Sequence, residues 1–551
     1  MILLKGYILM KNGPYPYYEV PEIETLRELV EYGKNKRGDQ PFLFNSNNES
    51  ISSKEFSDFN RELGTFILNK GFHKDNIGLI GENTSEWCIS FFSIINSGNT
   101  VVPLDRNLGI KEIIELIERC GCKALFYSQK DKRIVDELKG DIQCYPFNDV
   151  YKLREEGKKL IAEGNDLYDR TIVDKDDLAT IVFTSGTSGA MKGVMLSHLN
   201  LMSDAVGCCK YVCEHDTQIF LPLHHTFPWA SALFAVILCG GTAHFSSNMR
   251  RLLKDLQDNH PQNLSAVPMM VEMIHNGIWV NARKNNKEKK LKKALVLSRF
   301  LMKLGIDKRR EIFKEIHDGF GGNLEVIICG GASLDEKIER DFYDFGIQVL
   351  IGYGITECSP VVAVNRPHDF RFGSVGKVLP CCKVKINDPD KDGNGEILVS
   401  GSNVMKGYYK DQESTAEAFD GEWFKTGDYG KIDKDGFLFI TGRKKNLIIL
   451  SNGENVSPEG IEIELMRLPY VKEVVVYEED GDIVGEFYLD EENYSEARTM
   501  LKNDIDFYNR SVPNYKGINR TKIRDIPFEK TTTMKIKRYL IKNDGYKKED
   551  K

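Results

Sequence analysis

From Ser52 to Val102 the chain alternates between two apolar periods, and this alternation constrains the fold more than any other feature. Lys54–Asn69 reads as an amphipathic helix, Ile77–Ile80 as a strand, Ser85–Asn96 as an apolar helix and Thr100–Pro103 as an extended segment. Helices alternating with short buried strands predict an α/β fold with a parallel sheet. Further strand-like runs at Ala124–Tyr127, Thr180–Phe183, Leu324–Cys329 and Gln348–Ile351 are each followed by glycine or polar residues. In α/β sheets ligands gather at such strand ends, so sites are expected there.

The chain has 551 residues, more than one hydrophobic core usually supports, and 41% apolar residues with which to build several. From Gly376 to Ile440, Asp-Gly and Asn-Gly turns punctuate short strand signals, which predicts a small β-rich subdomain. The pattern shifts again at Gly442-Arg443-Lys444-Lys445-Asn446. The expected organisation is therefore a large N-terminal domain over 1–441, a boundary segment at 442–446 and a smaller α+β domain over 447–551. Twelve cysteines, among them Cys120/Cys122, Cys208/Cys209/Cys213 and Cys381/Cys382, lack the paired spacing of a zinc site or a disulfide scaffold. Reduced thiols in a cytoplasmic protein are expected. The first residues, Met1-Ile2-Leu3-Leu4-Lys5, do not read as a signal peptide, and no uncharged run reaches the roughly 20 residues of a membrane helix.

The net charge of −7, from 75 basic and 82 acidic residues mixed throughout, leaves no electrostatic footprint for nucleic acid. One stretch departs from this mixing: Lys284-Asn285-Asn286-Lys287-Glu288-Lys289-Lys290, inside a helical region between Glu272 and His317. A solvated helical face is the plainer reading; peripheral contact with a membrane is the other. Oligomeric state has no signal in the sequence.

Thr184-Ser185-Gly186-Thr187-Ser188-Gly189-Ala190-Met191-Lys192-Gly193 puts three glycines, four hydroxyls and a lysine after an apolar strand. A loop of this composition can wrap amides and hydroxyls around phosphates, and the lysine adds charge. Met191 stands where a Walker A loop needs glycine, so the loop is not of that type. Taken alone, a loop of this composition is more often a flexible connection.

Downstream motifs give it context, and together they resemble the adenylate-forming superfamily of acyl-CoA synthetases, adenylation domains and firefly luciferase. Thr184–Gly193 resembles its phosphate loop, Gly330-Gly331-Ala332 its adenine-binding turn and Tyr353-Gly354-Ile355-Thr356-Glu357 its Y-G-x-T-E motif. Thr426-Gly427-Asp428 resembles the ribose-binding T-G-D, Gly442-Arg443-Lys444-Lys445 the hinge region, and Lys535 the catalytic lysine near the C-terminus. The family more often has glycine before that lysine, where this chain has Met534, and an alternative alignment would slip to Lys537.

The resemblance implies ATP-dependent activation of a carboxylic acid to acyl-AMP, then transfer to a thiol. It assigns Tyr353 and Gly354 to adenine, Thr356 to the α-phosphate, Glu357 and Thr184 to Mg2+, Asp428 to the ribose, and Arg443 to ribose or phosphate oxygens. Thr184, Ser185, Gly186, Thr187, Ser188, Gly189 and Lys192 would hold phosphates, and Lys535 would neutralise charge during adenylation. Lys445 falls at the hinge, about which the C-terminal domain would rotate to bring in Ser451-Asn452-Gly453-Glu454 for the second half-reaction. His225, Phe227 and Trp229 lie in the acyl-pocket motif, His225 also among the catalytic residues. The lysine-rich helical segment, Arg443-Lys444-Lys445-Asn446 and Phe528–Thr533 most resemble long-chain fatty acyl-CoA synthetases. A fatty acid is the expected substrate, with coenzyme A, or a carrier-protein phosphopantetheine, as acceptor. Two other readings remain at this point: a catalytically silent paralogue that binds acyl chains or nucleotides, and a luciferase-like oxygenase.

Overall fold

Ser85–Asn96 carries small polar residues among large apolar ones, and the computed structural model buries all of it but Glu86, with Thr84 capping the helix by accepting from Trp87 N. A helix of this kind forms the interior of a layered domain. The structure describes residues 17–47, 49–185, 191–213, 215–246, 249–449, 455–530 and 536–541.

The chain divides into two compact units: the chain up to Lys383 with Val399–Phe424, and Val384–Leu398 with Lys425 onwards. Two sheets organise the first. The smaller runs in the order Gly407–Tyr408, Met191–Ser197, Leu178–Ser185, Thr100–Pro103, Asn76–Ile80, Ala124–Tyr127, Gln143–Pro146. From Leu178–Ser185 onwards its neighbours are parallel; the first three strands are antiparallel. The larger sheet has nine strands, with a parallel centre that includes Asn263–Ala266, Val326–Cys329 and Gln348–Gly354, and an antiparallel strand, Val361–Val364, beside the last. The expected α/β class with parallel sheets is what the chain adopts. Strands at Thr100–Pro103 and Ala124–Tyr127 and the helix Ser85–Asn96 lie where the apolar periods put them.

Helix Ser53–Asn69 starts at a capping box, in which Ser52 Oγ accepts from Glu55 N and Glu55 Oε2 accepts from Ser52 N. It packs so closely on Val150–Ala162 that a Cβ at Gly157 would fall 1.8 Å from the Glu62 carbonyl oxygen. Neither helix backbone can yield cheaply. Gly157→Ala is expected to destabilise the protein by about 1–3 kcal/mol, read as a lower urea midpoint; an unchanged midpoint would contradict the packing.

The second unit holds an α+β core. Val471–Glu479 pairs antiparallel with Asp482–Leu489, which pairs parallel with Arg520–Arg524. Helices Pro458–Leu465 and Ala497–Ser511 contribute Ile461, Leu465, Leu501 and Ile505 to the same buried cluster as Val474, Val476 and Phe487. None of the twelve cysteines is in a disulfide. Among the described residues no helix is long and apolar enough to cross a membrane.

Candidate active site

The glycine- and hydroxyl-rich loop joins two antiparallel strands, Leu178–Ser185 and Met191–Ser197, rather than a strand and a helix. Strand pairing sets Lys192 opposite Thr184 and Met191 opposite Ser185. Gly186, Thr187, Ser188 and Gly189, assigned above to phosphate binding, lie outside the described residues.

On the other side of Met191–Ser197 the short strand Gly407–Tyr408 pairs antiparallel, with Tyr408 opposite Val194. This brings in a residue the sequence reading did not single out. The Tyr408 hydroxyl donates to Glu357 Oε1 at 3.0 Å, and the Lys192 ammonium sits 4.8 Å from the centre of the Tyr408 ring. Burial, and then the Glu357 carboxylate, push the Tyr408 phenol well above its ordinary range, so it remains a donor. Thr415 Oγ1 accepts from Tyr408 N at 2.9 Å, and the Glu357 carbonyl accepts from Met405 N at 2.8 Å. One tyrosine thus ties the lysine of the phosphate-loop motif to the carboxylate of the Y-G-x-T-E motif. The available signal was a Gly-Tyr pair, too common to mark.

Tyr353 is buried in strand Gln348–Gly354, opposite Ala363, and the chain turns at Thr356–Cys358 to present a half-buried Glu357. A Cβ at Gly354 would meet the Pro360 carbonyl oxygen at 2.2 Å, so the close approach of the two chain segments requires glycine there. Gly330, Gly331 and Ala332 follow the end of Val326–Cys329, at the expected strand terminus. A methyl group on Gly330 would touch the Phe227 ring at 3.7 Å and the Gly352 carbonyl at 3.6 Å. The apolar motif and two glycine motifs therefore meet.

Phe227–Leu233 is a π-helix, a geometry that often marks functional sites. Trp229 lies within it, fully buried, with ring centres 5.2 Å from Phe91 and 5.5 Å from Phe234. Its indole Nε1 finds no hydrogen-bond partner among the described residues. His225 is half-buried just ahead of this turn, its ring 4.1 Å from that of His224, whose Nε2 lies 3.5 Å from Asp105.

In the second unit, Asp428 and Arg443 face each other across strands Trp423–Ile432 and Leu438–Arg443, joined by a 2.8 Å ion pair. Asp428 is buried; its amide donates to Thr426 Oγ1, which donates to the Ile397 carbonyl. The Thr426-Gly427-Asp428 stretch of the strand is therefore held from inside while Arg443 orients the carboxylate. Beyond it, Asn446 Nδ2 donates to Glu459 at 2.7 Å and Lys444 pairs with Glu396 at 2.6 Å. Burial, and then the nearby Arg443 and Arg538 charges, lower the Lys445 pKa.

Lys535 and the Ser451–Glu454 loop lie outside the described residues. The flanks of Lys535 are fixed: Lys530 and Ile536 form an antiparallel bridge, Lys530 pairs with Glu473 at 2.6 Å, and Arg538 pairs with Glu462. Glu462 is half-buried and its pKa is pushed up to about 7, desolvation outweighing Arg538. Glu462 and Arg538 were not legible as supports of the lysine segment, because the helix carrying one and the tail carrying the other are distant in sequence.

An antiparallel hairpin carrying the hydroxyl-rich motif in the smaller sheet, and in the larger sheet a glycine turn within reach of an apolar motif, fit the class of an AMP-binding, adenylate-forming enzyme. Residues 30–409 match the model of the AMP-binding enzyme family. The chain is 30% identical over 519 residues to long-chain fatty acid–CoA ligase 5 of Rattus norvegicus, covering 85% of this chain and 75% of that one. It is 29% identical to long-chain fatty acid–CoA ligase 1 of Homo sapiens, covering 86% and 74%. An anthranilate CoA ligase solved with anthranoyl-AMP superposes with a TM-score of 0.76 at 19% identity, over 96% of this chain and 97% of that one, a likeness of fold. The chain belongs to the AMP-binding enzyme family, and it is an AMP-forming acid–thiol ligase.

Proposed function

We propose that this enzyme activates a medium- or long-chain fatty acid as acyl-AMP, releasing pyrophosphate, and passes the acyl group to coenzyme A. The observation that supports the reading is that a Cβ on Gly330 would lie 3.7 Å from the Phe227 ring, so an apolar side chain stands beside the turn assigned to adenine. The names of the two mammalian relatives favour the same acyl class. Each CH2 buried in an apolar tunnel stabilises by about 0.8 kcal/mol, so length can be selected without polar contacts. Phe227 would line that tunnel, with Trp229 at its wall and His225 near the carboxylate end.

In the adenylation step Tyr353 and Gly354 would seat the adenine, Asp428 and Arg443 the ribose hydroxyls, and Thr356 the α-phosphate. Lys192 and the loop amides would hold the phosphates. The donor set suits a hard cation that keeps one or two protein oxygens plus substrate phosphates, so Glu357 and Thr184 would hold Mg2+. When bound, Mg2+ supplies neutralisation of phosphate charge. Lys535 would stabilise charge developing on the carboxylate and α-phosphate oxygens. Rotation of the residues beyond the 442–446 segment, with Lys445 at the pivot, would then exchange Lys535 for Ser451–Glu454 in the thiol step. A carrier-protein phosphopantetheine presents the same reactive arm and is the alternative acceptor.

The test is ATP–pyrophosphate exchange with Mg2+, without thiol, across fatty acids from butyric to stearic, aromatic acids and amino acids. Exchange is expected to peak with the longer fatty acids; exchange confined to aromatic or amino acids would overturn the substrate class. In the same assay Tyr408→Phe, which keeps the ring over Lys192 and deletes the bond to Glu357, is expected to lower exchange about 10-fold, as a lost bond to a charged group should. Wild-type exchange in that variant would make the contact incidental.

A further inference from the structure

Residues 283–310 hold twelve lysines and arginines against two acids, a net charge of +10 in a chain whose total is −7. Helix Glu288–Lys303 runs through this segment. One face is packed: Leu295 and Ser298 are buried, Leu291 and Ala294 half-buried, in the same core as Val271, Ile274 and Phe342. Arg299 braces the helix by pairing with Asp344 at 2.6 Å and Asp341 at 3.4 Å.

The opposite face is apolar where a solvated helix would be polar. Val296 is 67% exposed, Leu297 50% and Phe300 58%, and Leu304, just past the helix, is 59% exposed. Spacings of three and four residues make them one ridge. Lys289 and Lys293 lie on the same face before it and Lys303 at its end, all exposed. Among the described residues these three lysines form no ion pair, whereas Lys292 on the same helix pairs with Glu288. An apolar ridge framed by unneutralised cations suits a surface that is apolar within and anionic outside.

We infer that the exposed face of Glu288–Lys303 docks this enzyme peripherally on an anionic lipid bilayer, with Val296, Leu297 and Phe300 entering the acyl boundary and the lysines meeting the headgroups. Charge complementarity selects this occupant. A second copy docked isologously would set the exposed Lys289, Lys293 and Lys303 against their own copies. A nucleic acid would satisfy the lysines but leave Val296 and Leu297 against water or phosphate. The inference is independent of which acid is activated.

The test uses the full chain with sedimentable vesicles of phosphatidylcholine alone or with added phosphatidylglycerol. Wild type is expected to co-sediment with the anionic vesicles only, and to be released between about 0.1 M and about 1 M salt. Phe300→Glu and the pair Lys289→Glu/Lys293→Glu are each expected to weaken binding about 10-fold or more, with denaturation midpoint and exchange on a soluble short-chain acid unchanged. All these positions are exposed, so the variants should fold; a shifted midpoint in Phe300→Glu would leave the lysine pair to decide. No binding of wild type to anionic vesicles, equal binding to both vesicle types, or variants that bind like wild type would overturn the proposal. So would a wild-type dimer that Phe300→Glu abolishes, since the ridge would then be a protein interface. Loss of exchange with every acid would sink the substrate reading and leave this one standing.

Discussion

Glu357→Gln is expected to lower ATP–pyrophosphate exchange by roughly 10²–10³-fold, the cost of removing one preorganised electrostatic group from a site of developing charge. Glutamine keeps the side chain's shape and can still accept from the Tyr408 hydroxyl through its amide oxygen, so the local contact survives. What disappears is the anionic oxygen that would hold Mg2+ against the phosphates. The loss should therefore come with a raised Mg2+ requirement, seen by titrating the metal at fixed ATP. Tyr408→Phe supplies the comparison, since it removes only the bond that orients the carboxylate. If Glu357→Gln exchanges like wild type, the carboxylate is a structural partner of Tyr408 and the assignment fails.

Lys535→Ala should also lower adenylation by roughly 10²–10³-fold, while transfer from supplied acyl-AMP to coenzyme A continues near the wild-type rate. The split would follow from the role proposed for Lys535, in which it serves only the first half-reaction. Lys537 is the control: its amide donates to the Glu529 carbonyl at 2.8 Å and its ammonium lies 3.6 Å from the Glu529 carboxylate. That lysine is already engaged, so Lys537→Ala should change little. Loss of adenylation in Lys537→Ala with Lys535→Ala intact would move the role by two residues.

The α/β class could be read from the sequence because Ser85–Asn96, Thr100–Pro103 and Ala124–Tyr127 are apolar runs whose lengths separate helix from strand. Candidate site residues could be read where chain order carries information: the glycine and hydroxyl motifs recur in one sequence order. Long-range pairing could not. Tyr408 reaches Lys192 and Glu357 through a two-residue strand paired with Val194, a contact without local periodicity. Nor does apolar character distinguish Phe227, against the glycine turns, from Trp229, packed between Phe91 and Phe234. In the lysine-rich helix the charges were visible, but the exposure of Val296, Leu297 and Phe300 depends on which face Leu295 and Ser298 bury.

The most direct test of the central claim is mass spectrometry of a single turnover with ATP, Mg2+ and a long-chain fatty acid, first without and then with coenzyme A. The account predicts acyl-AMP and pyrophosphate in the first stage, and acyl-CoA with AMP released in the second. Formation of ADP and phosphate, or acyl-CoA without a preceding adenylate, would contradict it.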